Sequence, residues 1–339
     1  MTLAIFLSVL IVSILLGLPV AFALLLSSMA LMLHMDFFSA DILAQSLING
    51  VDSFTLLAIP FFLIAGEVMA SGGLSQRIVR LATTYVGHRQ GGLGYVAIMT
   101  SVLLAGLSGS AVADAAALVS ILYPMMKAAK YPEAPSMGLL ASGGIIAPVI
   151  PPSIPLILVG VAGGISIKNL FLGGIVPGLL MGMTLMFVWR WTVRKENLET
   201  SERATKAEKR AALKDGVWAL MLPVIIIVGI RFGIFTPTEA AVVAATYAIF
   251  ISTFVYKELT IKKFYHIVLN AGRSTAMVMF LVGCAMVAAW LITVAQLPQQ
   301  LAEMLGPLVD SPRLLMAVIM LLVLCVGMVM DLSPTIQIG

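Results

Sequence analysis

Gly106-Leu107-Ser108-Gly109-Ser110 interrupts an apolar run, and a second break, Gly327-Met328-Val329-Met330-Asp331, interrupts another. The residues leading into them match at a constant offset: Ile98, Met99, Val102 and Leu103 recur as Ile319, Met320, Val323 and Leu324. The chemistry on offer is that of helix ends. A helix that stops leaves carbonyl oxygens without donors, and one that starts leaves amides without acceptors. The first suits a cation and the second an anion. Glycine lets backbone approach closely, and serine hydroxyls add neutral oxygen ligands. Ser108, Gly109 and Ser110 are the candidates in the first break. Asp331, Ser333 and Thr335 are the polar groups of the second. A tightly packed small-residue helix crossing is the competing explanation of the first run.

Pro148-Val149-Ile150-Pro151-Pro152-Ser153 is a third interruption. Proline has no amide proton and its ring clashes with the preceding turn, so no helix runs through this segment. The carbonyls of Ile145, Ile146 and Ala147 are expected to lose their donors and to face a ligand or water. Pro148 and Ile150 belong to the same candidate cation shell. A plain loop between two ordinary spans is the alternative. Against it, 136–147 and 154–164 are each too short to cross a bilayer, which takes about 20 residues. Asp114 falls within the first turn after the first break, where a carboxylate serves equally as a cation ligand or as a helix cap. With Ser108, Pro152 and Ser153 it forms the candidate substrate-binding set. Glu67 and Glu239 are further ionisable groups inside apolar runs, functional by default. No cofactor is expected.

These residues need elements to hold them at membrane depth. The chain has 339 residues, 60% hydrophobic and 11% charged, with a mean hydropathy of +1.08. Soluble domains carry about 25% charged residues, so a soluble core is excluded and the fold class is an all-α polytopic membrane protein. The net charge of +4 does not point to nucleic acid, because the basic residues sit in short loops where they set membrane orientation. Cys284 and Cys325 lie alone in apolar runs and read as small buried hydrophobes.

The pattern divides into two copies. Residues 1–192 form the first inverted repeat. Its spans are 3–16, 18–33 and 42–73, followed by a hairpin at 92–127, a broken helix at 136–164 and a span at 169–192. A charged connector occupies 193–215. Residues 216–339 form an incomplete second repeat, with spans 216–232, 237–256 and 264–297 and the start of a second hairpin at 313–339. The counterpart of the first repeat beyond its hairpin is missing, so the chain is expected to be truncated at its C-terminus. With the N-terminus outside, the basic residues except Arg273, Lys168, Arg231 and Arg313 fall on the cytoplasmic side, as the positive-inside rule requires. That orientation makes the connector cytoplasmic and inverts the two halves. Paired breaks in inverted repeats are the sequence mark of a carrier's binding site, since bare backbone survives in lipid only where it lines a cavity.

Several stretches together resemble the large membrane subunit of tripartite ATP-independent periplasmic (TRAP) transporters. They are Gly17-Leu18-Pro19-Val20-Ala21-Phe22, Ile59-Pro60-Phe61-Phe62-Leu63-Ile64-Ala65-Gly66-Glu67, Gly106 to Ala117, Ile150-Pro151-Pro152-Ser153-Ile154-Pro155 and Phe235-Thr236-Pro237-Thr238-Glu239-Ala240-Ala241. The resemblance implies an inverted-repeat elevator-type transporter with re-entrant hairpins and discontinuous helices, in a bacterial inner membrane with a periplasmic N-terminus. It implies sodium as coupling ion and an organic anion as substrate, a carboxylate such as a C4-dicarboxylate, a sugar acid or sialic acid. It also implies a small four-span membrane subunit, a periplasmic substrate-binding protein and membrane lipid as partners. Carried over, one cation site places Ser108, Gly109 and Ser110 against Ile145 to Ile150, and a second uses Asp331, Ser333 and Thr335. A stand-alone elevator-type symporter is the nearest alternative. An intramembrane serine protease is remote: Gly106-Leu107-Ser108-Gly109 is a short nucleophile motif, but its only candidate base is His266, at a membrane edge.

Overall fold

The structure is a computed structural model of the chain. It describes residues 2–109, 111–196, 198, 203–297, 299 and 311–327, without the side chains of 107, 108, 113, 195, 312, 322, 325 and 326. Every extended element among the described residues is helical, and five helical segments are long and apolar enough to span a membrane. The chain divides into two compact units, Met1–Leu56 with Ser274–Gly339, and Leu57–Arg273.

The first unit contains α1 (Thr2–Leu15), α2 (Val20–His34), α3 (Ala40–Val51), the C-terminal part of α13 (Ile261–Val294) and α14 (Pro312–Gly327). Its core joins Phe6 and Leu10 of α1, Leu24, Leu31 and Met32 of α2, and Cys284, Val287 and Leu291 of α13. Gly50 and Gly283 let α3 and α13 close on each other. A methyl group on Gly50 would stand 2.7 Å from Met286 Cβ, and one on Gly283 would stand 3.1 Å from the Leu47 carbonyl. Ser27 and Ser28 are buried there, and each returns its hydroxyl to the carbonyl four residues earlier.

The second unit holds α4 (Ala58–Ser71), α5 (Leu74–Val86), α6 (Gly92–Ser108), α7 (Ala111–Ala128), α8 (Glu133–Gly144), α9 (Ile154–Ala162), α10 (Ile167–Thr192), α11 (Lys206–Arg231), α12 (Pro237–Phe250) and the N-terminal part of α13. α12 packs on α4 through Ala240, Ala241, Ala244, Ala245 and Ala248, all buried, against Ala58, Ile59, Phe62, Ala65 and Gly66. Small residues bring helix backbones together where lipid offers no hydrophobic drive. Glu239, read as an intramembrane charge, closes the start of α12 instead. The Thr236 N–H donates to its carboxylate at 2.8 Å, and the Glu239 N–H donates to the Thr236 hydroxyl at 3.3 Å.

Two expected elements are corrected. Residues 42–73 are not one long crossing: α3 ends at Val51, Asp52 and Ser53 turn the chain, and a 3₁₀ turn at Phe54–Leu57 leads into α4. The Leu56 N–H donates to the Ser53 carbonyl at 3.0 Å, a short polar pair winning over the apolar run on both sides. The connector 193–215 is not separate from the following span. Thr205 and Glu208 form a capping box, and α11 runs unbroken from Lys206 into the apolar segment.

Amphipathic α5 buries Leu74, Ile78, Val79, Leu81 and Ala82 and is fixed by one arginine. Arg77 donates to Asp215 of α11 at 3.3 Å, to Glu258 in the α12–α13 corner at 2.8 Å and to the Gly73 carbonyl at 2.8 Å. Its guanidinium lies 3.7 Å from the centre of the Tyr256 ring. Burial pushes the Tyr256 hydroxyl up to about 12, so it remains the donor that meets the Asp215 carbonyl at 2.8 Å. Gly73 has φ +83°, and any side chain there would meet Glu258 at 2.1 Å.

Replacing Arg77 with Gln takes the cation from Glu258 and leaves Asp215 with the more exposed Arg80. The thermal unfolding midpoint of the solubilised protein is expected to fall, by a stability loss of about 1–2 kcal/mol for this partly exposed cluster. Ala244→Leu overfills the α4–α12 contact and is expected to cost about 1–3 kcal/mol in the same measurement.

Candidate functional site

Both breaks of the second unit are real interruptions, and they touch. α6 ends at Ser108, Gly109 takes the left-handed conformation with φ +62°, and α7 starts at Ala111. α8 ends at Gly144, residues 145–153 turn without forming a helix, and α9 starts at Ile154. A methyl group added to Gly109 would stand 2.7 Å from the Pro152 carbonyl oxygen and 3.2 Å from both Ser153 Cα and the Ile154 nitrogen. Gly109 is therefore required twice, for its positive φ and for the approach of the second break. Gly144 serves the same purpose one layer away, with a would-be methyl 2.8 Å from the Ala111 carbonyl.

The expected loss of three carbonyl partners is corrected in part. The Ile146 carbonyl accepts from the Val149 and Ile150 N–H groups at 3.0 and 3.2 Å, because these non-proline amides swing back into tight turns. The helical donors actually removed are those of Pro148, Pro151 and Pro152, which would have served Gly144, Ala147 and Pro148. The Gly144 carbonyl is recovered by the Ala147 N–H at 3.2 Å and the Pro148 carbonyl by the Ser153 hydroxyl. Among the described residues nothing donates to the Ala147 carbonyl, and nothing accepts from the Ile154 N–H. Ser153 is fully buried and also caps α9, accepting from the Leu156 N–H at 3.3 Å. The hydroxyl's two contacts are thus spent on the break and on the first turn of α9.

Ile146, Ala147 and Ile150 pack into one buried cluster with Ala105, whereas the Ile145 side chain is 56% exposed. Asp114 is buried at 5% exposure in the first turn of α7, an orientation that the helix N-terminus favours for a carboxylate. Ser110, Asp331, Ser333 and Thr335 lie outside the described residues, as does the Ser108 side chain. No three His, Cys, Asp or Glu side chains converge among the described residues. The groups that the described residues bring to the contact are the Pro152 carbonyl oxygen and the Ile154 amide, with the Asp114 carboxylate buried in the first turn of α7.

Three supports were not anticipated. Pro223 of α11 packs on the hairpin tip, 3.1 Å from a methyl placed on Gly106. It lines a cavity of about 150 Å³ with Val102, Leu103, Ile150, Ile175, Leu179 and Ile227. The side chains that line it are apolar and offer an anion no charged partner. At the hairpin base, the Trp189 indole N–H donates to the Gly91 carbonyl at 2.9 Å and its ring stacks on Tyr131. Gly94 has no room for a methyl, which would meet the indole at 1.9 Å. The glycine run Gly91-Gly92-Leu93-Gly94 was the available signal for that contact.

Residues 7–338 match the family described as the tripartite ATP-independent periplasmic transporter, DctM component. The 2,3-diketo-L-gulonate TRAP transporter large permease protein of Escherichia coli K12 is 55% identical over all of this chain and 80% of its own length. The sialic acid TRAP transporter large permease protein of Vibrio cholerae is 41% identical over 92% of this chain and 73% of its own. The C4-dicarboxylate TRAP transporter large permease protein of Pseudomonas aeruginosa is 38% identical over 87% of this chain and 69% of its own. These relatives are named as transporter permeases and not as enzymes, and together with the apolar helices and the full-length family match they establish a multi-pass membrane protein of the DctM family, the large permease component of TRAP transporters.

Proposed function

We propose that this chain carries an organic anion inward across the bacterial inner membrane, driven by sodium, through an elevator movement of the unit that bears the touching breaks. The observation that carries this reading is the contact of Gly109 with Pro152 and Ile154. It brings the Pro152 carbonyl oxygen and the Ile154 amide to one buried place beside Gly109. The oxygen suits sodium and the amide at the start of α9 suits an anionic group. Relatives whose names specify diketogulonate, sialic acid and C4-dicarboxylate handle organic acids, which supports a carboxylate here. Family membership supports a small four-span membrane subunit and a periplasmic substrate-binding protein as partners, the latter delivering the substrate. The charge distribution of the sequence supports a periplasmic N-terminus and a cytoplasmic 193–205 segment.

The energetics require coupling. One charge moved through 100 mV is worth about 2.3 kcal/mol, so a monoanion entering an inside-negative cell is opposed by that amount. One sodium ion cancels the electrical term, and at least two are needed for the potential to drive uptake. Ser108 and Ser110 complete the first site in this reading, Asp114 belongs to the substrate set beside it, and Asp331, Ser333 and Thr335 supply the second.

The test is uptake by the complete transporter in proteoliposomes. Uptake is expected to require an inward sodium gradient and to rise with inside-negative potential; uptake indifferent to both overturns the reading. Gly109→Val is expected to lower uptake at least about tenfold while the protein remains in the membrane, because its side chain enters the Pro152 carbonyl and its φ is unfavourable.

A further inference from the structure

α11 presents one outward face that changes character along its length. Met221, Val224 and Val228 are exposed in its middle, Trp218 is 43% exposed one turn earlier, and Lys214, Arg210 and Lys206 follow on the same side at four-residue spacing. At about 1.5 Å per residue, Lys214 stands about 6 Å and Arg210 about 12 Å beyond the indole. This is the order of a bilayer met from inside: hydrocarbon, aromatic boundary, charged headgroups. Neighbouring α10 ends in the same order, with Phe187 and Trp191 at 75% and 76% exposure followed by exposed Arg194.

The basic stripe lies at the wrong end of its helix for internal stability. Cations at a helix N-terminus oppose the dipole, and the acid that would offset them is committed: Glu208 is held in the capping box by the Thr205 N–H at 2.7 Å. Asp215 is engaged by Arg77 and Arg80. Glu196 is exposed beyond the end of α10, and Glu199 and Glu202 lie outside the described residues. Among the described residues no ion pair engages Lys206, Arg210 or Lys214, and positive charge at headgroup height above an exposed tryptophan suits an anion from outside.

We propose that this face, built by the start of α11 and the end of α10, is a binding surface for anionic phospholipid headgroups. The phosphate sits among Lys206, Arg210, Lys214 and Arg194, and the acyl chains run down past Trp218 and Trp191. The inference needs only a membrane-embedded chain, and is independent of the ion and substrate assigned to the breaks. A bound anionic lipid steadies the junction between α10 and α11 at the membrane surface.

The experiment uses the full chain with its partner subunit, exchanged into nanodiscs of phosphatidylglycerol mixed with phosphatidylcholine. Retained lipid is counted by native mass spectrometry after detergent release. The protein is expected to retain phosphatidylglycerol over phosphatidylcholine, less so as salt rises. The triple variant Lys206→Gln, Arg210→Gln, Lys214→Gln is expected to lose at least about tenfold of that retention, each charge near the surface contributing about fivefold. Lys257→Gln, Lys262→Gln, Lys263→Gln, which removes equal charge from the α12–α13 corner, is expected to keep it. Equal retention of the two lipids, indifference to salt, or equal loss in both triple variants overturns the proposal. So does unchanged lipid retention with loss of the small subunit from the first variant, which assigns the face to a protein. The salt series on the unmodified protein stands even if a variant fails to fold.

Discussion

A peptide group in lipid must find a partner, and everything distinctive in this chain follows from placing peptide groups where helices cannot satisfy them. Each unpaired backbone group in hydrocarbon costs several kcal/mol. The second unit meets that constraint by pressing one interrupted helix against another. Gly109 allows the contact, and the prolines of 148–152 ensure that it cannot be repaired by continuing the helix. Most freed groups are recovered locally, by the Ser153 hydroxyl and by tight turns at Ile146 and Gly144. Among the groups left over at this break are carbonyls, at Ile145 and Ala147 for instance, and the amide of Ile154, which are of opposite polarity. A protein that only needed to cross the membrane has no use for such a pair.

The rest of the second unit keeps that contact in place. Alanines on α12 and small residues on α4 bring two spans close enough for dispersion to hold them in lipid. Arg77 does by charge what apolar contact cannot do at the membrane edge: it ties amphipathic α5 to α11 and to the α12–α13 corner in one cluster. Trp189 anchors the base of the hairpin whose tip carries Gly109. Tip, base and arm are thus each fixed by a different kind of interaction.

Much of this was legible because breaks in membrane helices are written in residue types with strong local consequences. Three prolines in five residues stop a helix whatever surrounds them, and a glycine among serines between two apolar runs marks a tip. The Gly17 and Gly233 turns were readable for the same reason; both have positive φ and both are followed by proline. What could not be read depends on distance in space. Nothing local in Asp215 or Glu258 says that they share Arg77, and nothing in Pro223 says that it meets Gly106. Hydropathy merged α3 with α4, because two polar residues barely lower a window average yet suffice to turn a chain. It separated the connector from α11, because a helix can leave the membrane without changing its backbone. Glu239 read as an intramembrane charge because its apolar surroundings outweighed a legible signal, the capping-box spacing of Thr236 and Glu239 with Pro237 between them.

Hydrogen exchange of the complete transporter, compared in sodium and in potassium at equal ionic strength, addresses the two facing breaks most directly. If a cation is held between them, sodium slows exchange of the amides in 109–113 and 145–157 and leaves the first unit's α1–α2 core unchanged. Identical exchange in the two salts at both breaks contradicts a sodium site there.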